Sequence, residues 1–227
     1  MNGPTNLEWL RGRRSVRVFA PRSIDRALLE RILEAAITAP SSTNRQPWRF
    51  AVVTAAPIRA ALVDAVRSRT EAMKDIIRRS HHAEDFGRYG DFFFEPLETA
   101  AAIVVPQYRE YPDLLAELIH SGGGDPATLP TASAMQAELC STSAATMALL
   151  LQAHAEGLGA CWMAGPMVAR DEVQSLLRIV PPWRMVGAVA LGWPAEAPEA
   201  RPRKPISQVV QWHDEQGDKD ERIDART

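Results

Sequence analysis

Ala39-Pro40-Ser41-Ser42-Thr43-Asn44-Arg45-Gln46-Pro47-Trp48-Arg49-Phe50 separates two kinds of apolar pattern, and so marks where one element stops and the next begins. Before it, apolar residues recur at Ile24, Leu28, Ile32 and Ala36, with Leu29, Leu33 and Ile37 beside them. That spacing is the stripe of an amphipathic helix, with Ser23 as its predicted N-cap and Pro40 as its stop. After it, Trp48 to Thr54 reads as a buried strand. Between them lie four short polar side chains and Gln46, on a path set by two prolines. Such a segment is either a well-capped turn or a binding loop, because its donors and acceptors can reach a ligand at close range.

Outward from this loop, Pro57 opens a predicted helix with the stripe Ile58, Leu62 and Val66. Residues 68–98 are charged, contain His81 and His82, and end in Phe92-Phe93-Phe94. The two histidines read as solvent-exposed or, more sharply, as a metal or substrate contact. Ala100 to Val105 reads as a strand, and Gly122, Gly123, Gly124, Pro126 and Pro130 mark a loop. A long helix is expected from Ser133 to Glu156, rich in Ala, Ser, Thr and Met and ended by Gly157. Its small side chains let another backbone approach closely. A strand at Ala160–Met163, a helix at Ala169–Arg178 and a strand at Met185–Leu191 follow, and the charged tail after His213 is expected to fray. Helices and strands intermix without a βαβ repeat, so the expected class is α+β, a mixed sheet flanked by helices. Neither G-x-G-x-x-G after a strand nor a P-loop pattern occurs, which excludes a Rossmann crevice for any nucleotide-like cofactor.

The chain has 227 residues, 46% hydrophobic and 24% charged, which is the balance of one soluble domain. A net charge of −2 argues against a nucleic-acid or membrane coat. Arg11, Arg13, Arg14 and Arg17 interrupt any signal-peptide-like run, and no window reaches the roughly 18 apolar residues of a membrane span. A cytoplasmic location is the expectation. Cys140 and Cys161 are expected as two free, mostly buried thiols, and no ligand cluster suggests a metal.

Positive charge gathers at both ends: Arg11 to Arg17, and Arg201, Arg203 and Lys204 between prolines. Each cluster is either solvated surface or half of an anion site, since the guanidinium fork matches phosphate oxygens.

Together these segments resemble the FMN-dependent nitroreductase family. The resemblance rests on Arg13-Arg14-Ser15-Val16-Arg17-Val18-Phe19, on Ala39 to Phe50, on Gly157-Leu158-Gly159-Ala160-Cys161-Trp162-Met163-Ala164-Gly165, and on Arg201-Pro202-Arg203-Lys204-Pro205. They occur in the family's order and span residues 13–205. The resemblance implies one FMN-binding domain over residues 1–213, a homodimer with long central helices and exchanged terminal segments, and two FMN sites at its interface. Residues 68–130 would be the variable substrate-access region and 214–227 a flexible tail. By position, Arg13, Arg14, Ser15, Arg201 and Arg203 would hold the phosphate and ribityl chain. Arg17 would stand near N1 and the C2 carbonyl, where a cation stabilises the reduced ring. Pro40, Ser41, Ser42 and Asn44 would reach the ring from the other subunit, with Gln46 bracing the loop. Trp162, Met163, Ala164 and Gly165 would line the ring, the Ala164 amide near N5. Many bacterial relatives carry Glu at the position of Ala164, so the local charge differs here.

The activity so implied is NAD(P)H-dependent, ping-pong reduction of a nitroaromatic, quinone or similar small molecule, the difficult step belonging to the cofactor. Reductive dehalogenation or flavin fragmentation on the same fold is the alternative, as is a flavin-binding protein without turnover. Nucleic-acid binding is disfavoured by the charge and by aromatics that do not interleave with the basic residues.

Overall fold

The computed structural model describes residues 6–81, 83–86, 89–128 and 135–213. Its strands form one sheet: β1 (Trp48–Val53), β2 (Ala102–Arg109), β3 (Gly159–Met163), β4 (Trp183–Met185) and β5 (Ala188–Gly192). The order is β1-β2-β5-β3, with β4 also paired to β2. All named pairs are antiparallel, and a parallel bridge from Ser15 to Ala160 makes the sheet mixed. The described helices are α1 (Asn6–Gly12), α2 (Arg26–Ala36), α3 (Ala56–Ile77), α4 (Ala83–Phe86), α5 (Glu95–Glu98), α6 (Leu114–Ser121), α7 (Ala137–Ala155) and α8 (Arg170–Leu176). The class is α+β, as expected.

Strand alternation divides the core between the two faces of the sheet. Ala102, Val104, Val189 and Leu191 meet Ile32 of α2 and Leu149 of α7 on one face. Ile103, Val105, Cys161 and Met163 meet Leu62 and Val66 of α3 and Val173 of α8 on the other. Leu62 and Leu149 are wholly buried, each burial stabilising the fold by about 1.5–3 kcal/mol.

Several expectations are corrected here. Asp25, not Ser23, occupies the N-cap position of α2; its carbonyl takes the Leu28 and Leu29 amides, while the Ser23 carbonyl accepts the Trp193 indole N–H at 3.1 Å. The single strand expected over Met185–Leu191 is broken. Val186 donates to the Pro106 carbonyl at 2.9 Å, and Gly187 at φ 144° makes the break. A Cβ at Gly187 would lie 2.5 Å from the Met163 carbonyl oxygen, so only glycine lets β5 run this close to β3. Helix α3 continues into the charged stretch because Lys74 closes on Asp91 at 2.6 Å and Glu71 at 3.0 Å. Both hydrogen bonds raise the Lys74 pKa. Helix α6 stands just ahead of the glycine run at 122–124, where the sequence carried no helical reading. Cys140 is exposed rather than buried. The long helix expected from Ser133 begins at Ala137, because Gln136 at φ 51° in a turn breaks the helical path; Ser133 itself, His82 and the tail after His213 lie outside the described residues.

Candidate functional site

Helix α1 packs on the end of α7, Trp9 and His154 stacking with ring centroids 5.3 Å apart. The chain then runs extended across the outer sheet edge. Val16 donates to the Ala160 carbonyl at 3.1 Å, Ala20 to Trp193 at 2.8 Å, and Phe19 bridges Pro194. Val16 and Phe19 are buried against the sheet edge, and Arg17 and Val18 between them are exposed. Gly159 and Gly192 face each other across β3 and β5. A Cβ on Gly159 would lie 2.7 Å from Val16, and one on Gly192 2.8 Å from Phe19. The glycine pair is therefore the saddle on which the basic segment rests.

Arg13 and Arg17 are thereby brought beside β3. Burial pushes the Cys161 thiol pKa up, and the charges of Arg17 and Arg13 pull against that shift. Arg17 donates to the Ser15 carbonyl at 3.2 Å. Arg14 instead turns back on its own backbone, donating to the carbonyls of Arg11 and Arg13. Arg201 and Arg203 stand exposed on an extended arm, where Ile206, Val209 and Trp212 are 68%, 58% and 58% exposed.

The loop at 40–47 is held in an uncommon shape. Thr43, Asn44 and Gln46 have φ of 50°, 55° and 49°, the left-handed region that L-residues populate rarely and that clusters at functional sites. Ser41 restrains it by accepting the Gln46 amide on its hydroxyl at 3.0 Å and the Asn44 amide on its carbonyl at 3.0 Å. Gln46 donates to the Asn44 side chain at 3.3 Å, the bracing expected of it. Two contacts tie the loop to the start of α7: Ser42 N–H to the Ser141 hydroxyl at 3.3 Å, and Arg45 to Glu138 at 3.0 Å. The sequence reading missed both anchors; the only signal was a serine within an alanine-rich helix.

The segments do not all meet within one protomer. The loop precedes β1 and the arginine segment runs outside β3, at opposite edges of the sheet. That is four strand spacings, roughly 19 Å. They also sit at opposite ends of α7, and Ser141 to His154 is roughly 20 Å of helix. The end of β3 and the turn after it carry the four residues expected to line the ring. Trp162 is 37% exposed and Met163 is buried, Ala164 is exposed and Gly165 partly so. Among the described residues no cluster of three or more His, Cys, Asp or Glu could hold a metal, and no helix is long and apolar enough to cross a membrane.

The fold and its basic edge define a class: an antiparallel-rich sheet clad on both faces, with cations along an outer strand instead of in a Rossmann crevice. The Nitroreductase family model matches residues 10–193, and the chain belongs to that family. An NADH dehydrogenase of Thermus thermophilus is 30% identical over 216 residues, 88% of this chain and 92% of that protein. A BluB-like flavoprotein from Clostridium difficile superposes with a TM-score of 0.81 at 20% identity, over 93% of this chain and 100% of its own. Iodotyrosine deiodinase bound to FMN and 3-iodo-L-tyrosine superposes at 0.69 with 20% identity, over 92% and 98% of the two chains.

Proposed function

We propose that the protein is an FMN-dependent oxidoreductase that works as a homodimer in the cytoplasm. When bound, the flavin supplies two-electron transfer from NADH or NADPH to a nitroaromatic, quinone or similar acceptor, in ping-pong order. The observation that carries this reading is the Arg13–Arg17 segment lying across the Gly159–Gly192 pair, directly upstream of Trp162–Gly165. A dianionic phosphate requires clustered guanidinium groups, and Arg13, with Arg14, Ser15, Arg201 and Arg203, fits it by charge and donor chemistry. Arg17 supplies a cation for negative charge on the ring, and Ala164 offers a backbone donor with no competing side chain.

The separation of the loop from the arginines supports a second subunit. A two-fold axis that lays two α7 helices antiparallel brings one protomer's Ser41, Ser42 and Asn44 to the other's basic edge. Helix α7 is suited to that contact, since Cys140 and Met147 are exposed and Ser143, Ala144, Ala148 and Leu151 are only partly covered. The free thiol at Cys140 fits a reducing compartment.

The test is a visible spectrum of the purified protein with added FMN, followed by rapid mixing with NADH and with NADPH. A yellow protein bleached by either donor is the expected result. Colourless material that takes up no FMN overturns the proposal, and bound flavin that neither donor bleaches identifies a binding protein without turnover.

A further inference from the structure

A cleft of about 700 Å³ opens where the end of β2, helix α6 and the start of α7 meet, and Arg45 of the strained loop forms part of its wall. Helix α6 has no buried residue. Its Leu114, Leu115 and Leu118 line the cleft and remain 56%, 45% and 59% exposed. Three leucines on two turns of helix, serving no core, form an apolar floor that a ligand can cover. Tyr111 makes one wall, and its ring is held by two guanidinium groups, Arg45 at 5.3 Å and Arg109 at 5.0 Å from its centroid. A ring so fixed is an aromatic surface with little freedom left to lose.

The polar groups of the lining set the charge that the cleft accepts. Glu110, Asp113 and Glu138 contribute carboxylates, and Arg45 is the one lining cation among the described residues. Glu138, whose side chain is 13% exposed, already binds Arg45 at 3.0 Å. Arg184, just outside, is taken by Glu110 at 3.0 Å. A ligand carboxylate entering here would meet like charge and would have to break the Arg45–Glu138 pair to find a cation.

We propose that this cleft is the acceptor site and that it selects flat, uncharged aromatic molecules over their carboxylate analogues. The inference rests on the oxidoreductase reading for the word acceptor, and on the cleft alone for the ligand class. The loop is the link between them, since Ser41, Ser42 and Asn44, the residues implied in flavin contact, lie immediately ahead of Arg45.

The experiment titrates the flavin-loaded protein with 4-nitrobenzyl alcohol and, separately, 4-nitrobenzoate, reading backbone amide resonances of residues 108–118. The alcohol should shift Tyr111 and the α6 amides and bind about tenfold more tightly than the benzoate, the size expected of one unfavourable charge at a partly buried site. Glu138→Gln releases Arg45, so benzoate binding should tighten about tenfold while the alcohol changes less than about twofold. Leu118→Asp, at a helix position 59% exposed, should abolish alcohol binding. Equal binding of the two probes, shifts confined to other residues, or an unchanged ratio in Glu138→Gln would overturn the proposal. The two readings fail separately. Amide shifts in protein that no pyridine nucleotide bleaches keep the cleft and remove the oxidoreductase, whereas bleaching without amide shifts does the reverse.

Discussion

The two basic segments have similar composition and opposite surroundings. Arg13–Arg17 is anchored by Val16 and by Phe19 just beyond it, which are 6% and 4% exposed and fit over two glycines. Arg201–Lys204 alternates with proline, makes no strand pairing and stands exposed on its own protomer, as do the apolar residues that follow it. The first is positioned by local burial, so its guanidinium groups point where the sheet edge aims them. Among the described residues the second has no strand or buried neighbour to aim it. A ligand or another subunit would hold these exposed cations in a fixed direction, at the cost of ordering the side chains.

Removing one guanidinium from each segment tests whether both meet the same anion. Arg13→Ala with Arg203→Ala should weaken FMN binding about a thousandfold, since two charge-assisted hydrogen bonds are worth about 4 kcal/mol together. Equilibrium dialysis against FMN checks this, and a double variant that purifies fully loaded places the phosphate elsewhere. Breaking the seat of the first segment alone sharpens the contrast. Gly159→Val drives a side chain into Val16, already 2.7 Å from a Cβ there, and should cost about 3 kcal/mol in urea unfolding. An unchanged unfolding midpoint would mean that the segment is not held by the saddle. The smallest effect concerns Arg17, which is exposed and donates to the Ser15 carbonyl. Arg17→Ala should leave folding intact and slow flavin reduction about tenfold, a loss of about 1.4 kcal/mol of charge stabilisation. Stopped-flow traces that match wild type would remove Arg17 from that role.

Legibility followed the range of the interactions. The helix before the loop and the strand after it were readable because each buries its own periodic face, and observed α2 and β1 lie within the expected stretches. The glycines of Gly157 to Gly165 were visible as a motif, but why Gly159 is glycine depends on Val16, far away in the chain. Helix α6 was hidden because it buries nothing, so no core demands a clean stripe from it. The charged stretch before Phe92 made sense only once Lys74 was found against Asp91, a pairing that needs the chain to double back.

By itself the sequence determined the α+β class, the loop between α2 and β1, and the presence of two arginine clusters suited to an anion. These follow from periodicity, from prolines and short polar side chains, and from the chemistry of the guanidinium group, all carried by neighbouring residues. Only the tertiary structure decided that the first cluster lies across a glycine pair shared by β3 and β5, that the loop leans on Ser141 and Glu138, and that an aromatic and leucine-lined cleft opens beside it. Each of those depends on contacts between residues distant in sequence, which form only when the sheet and α7 have already set the distances.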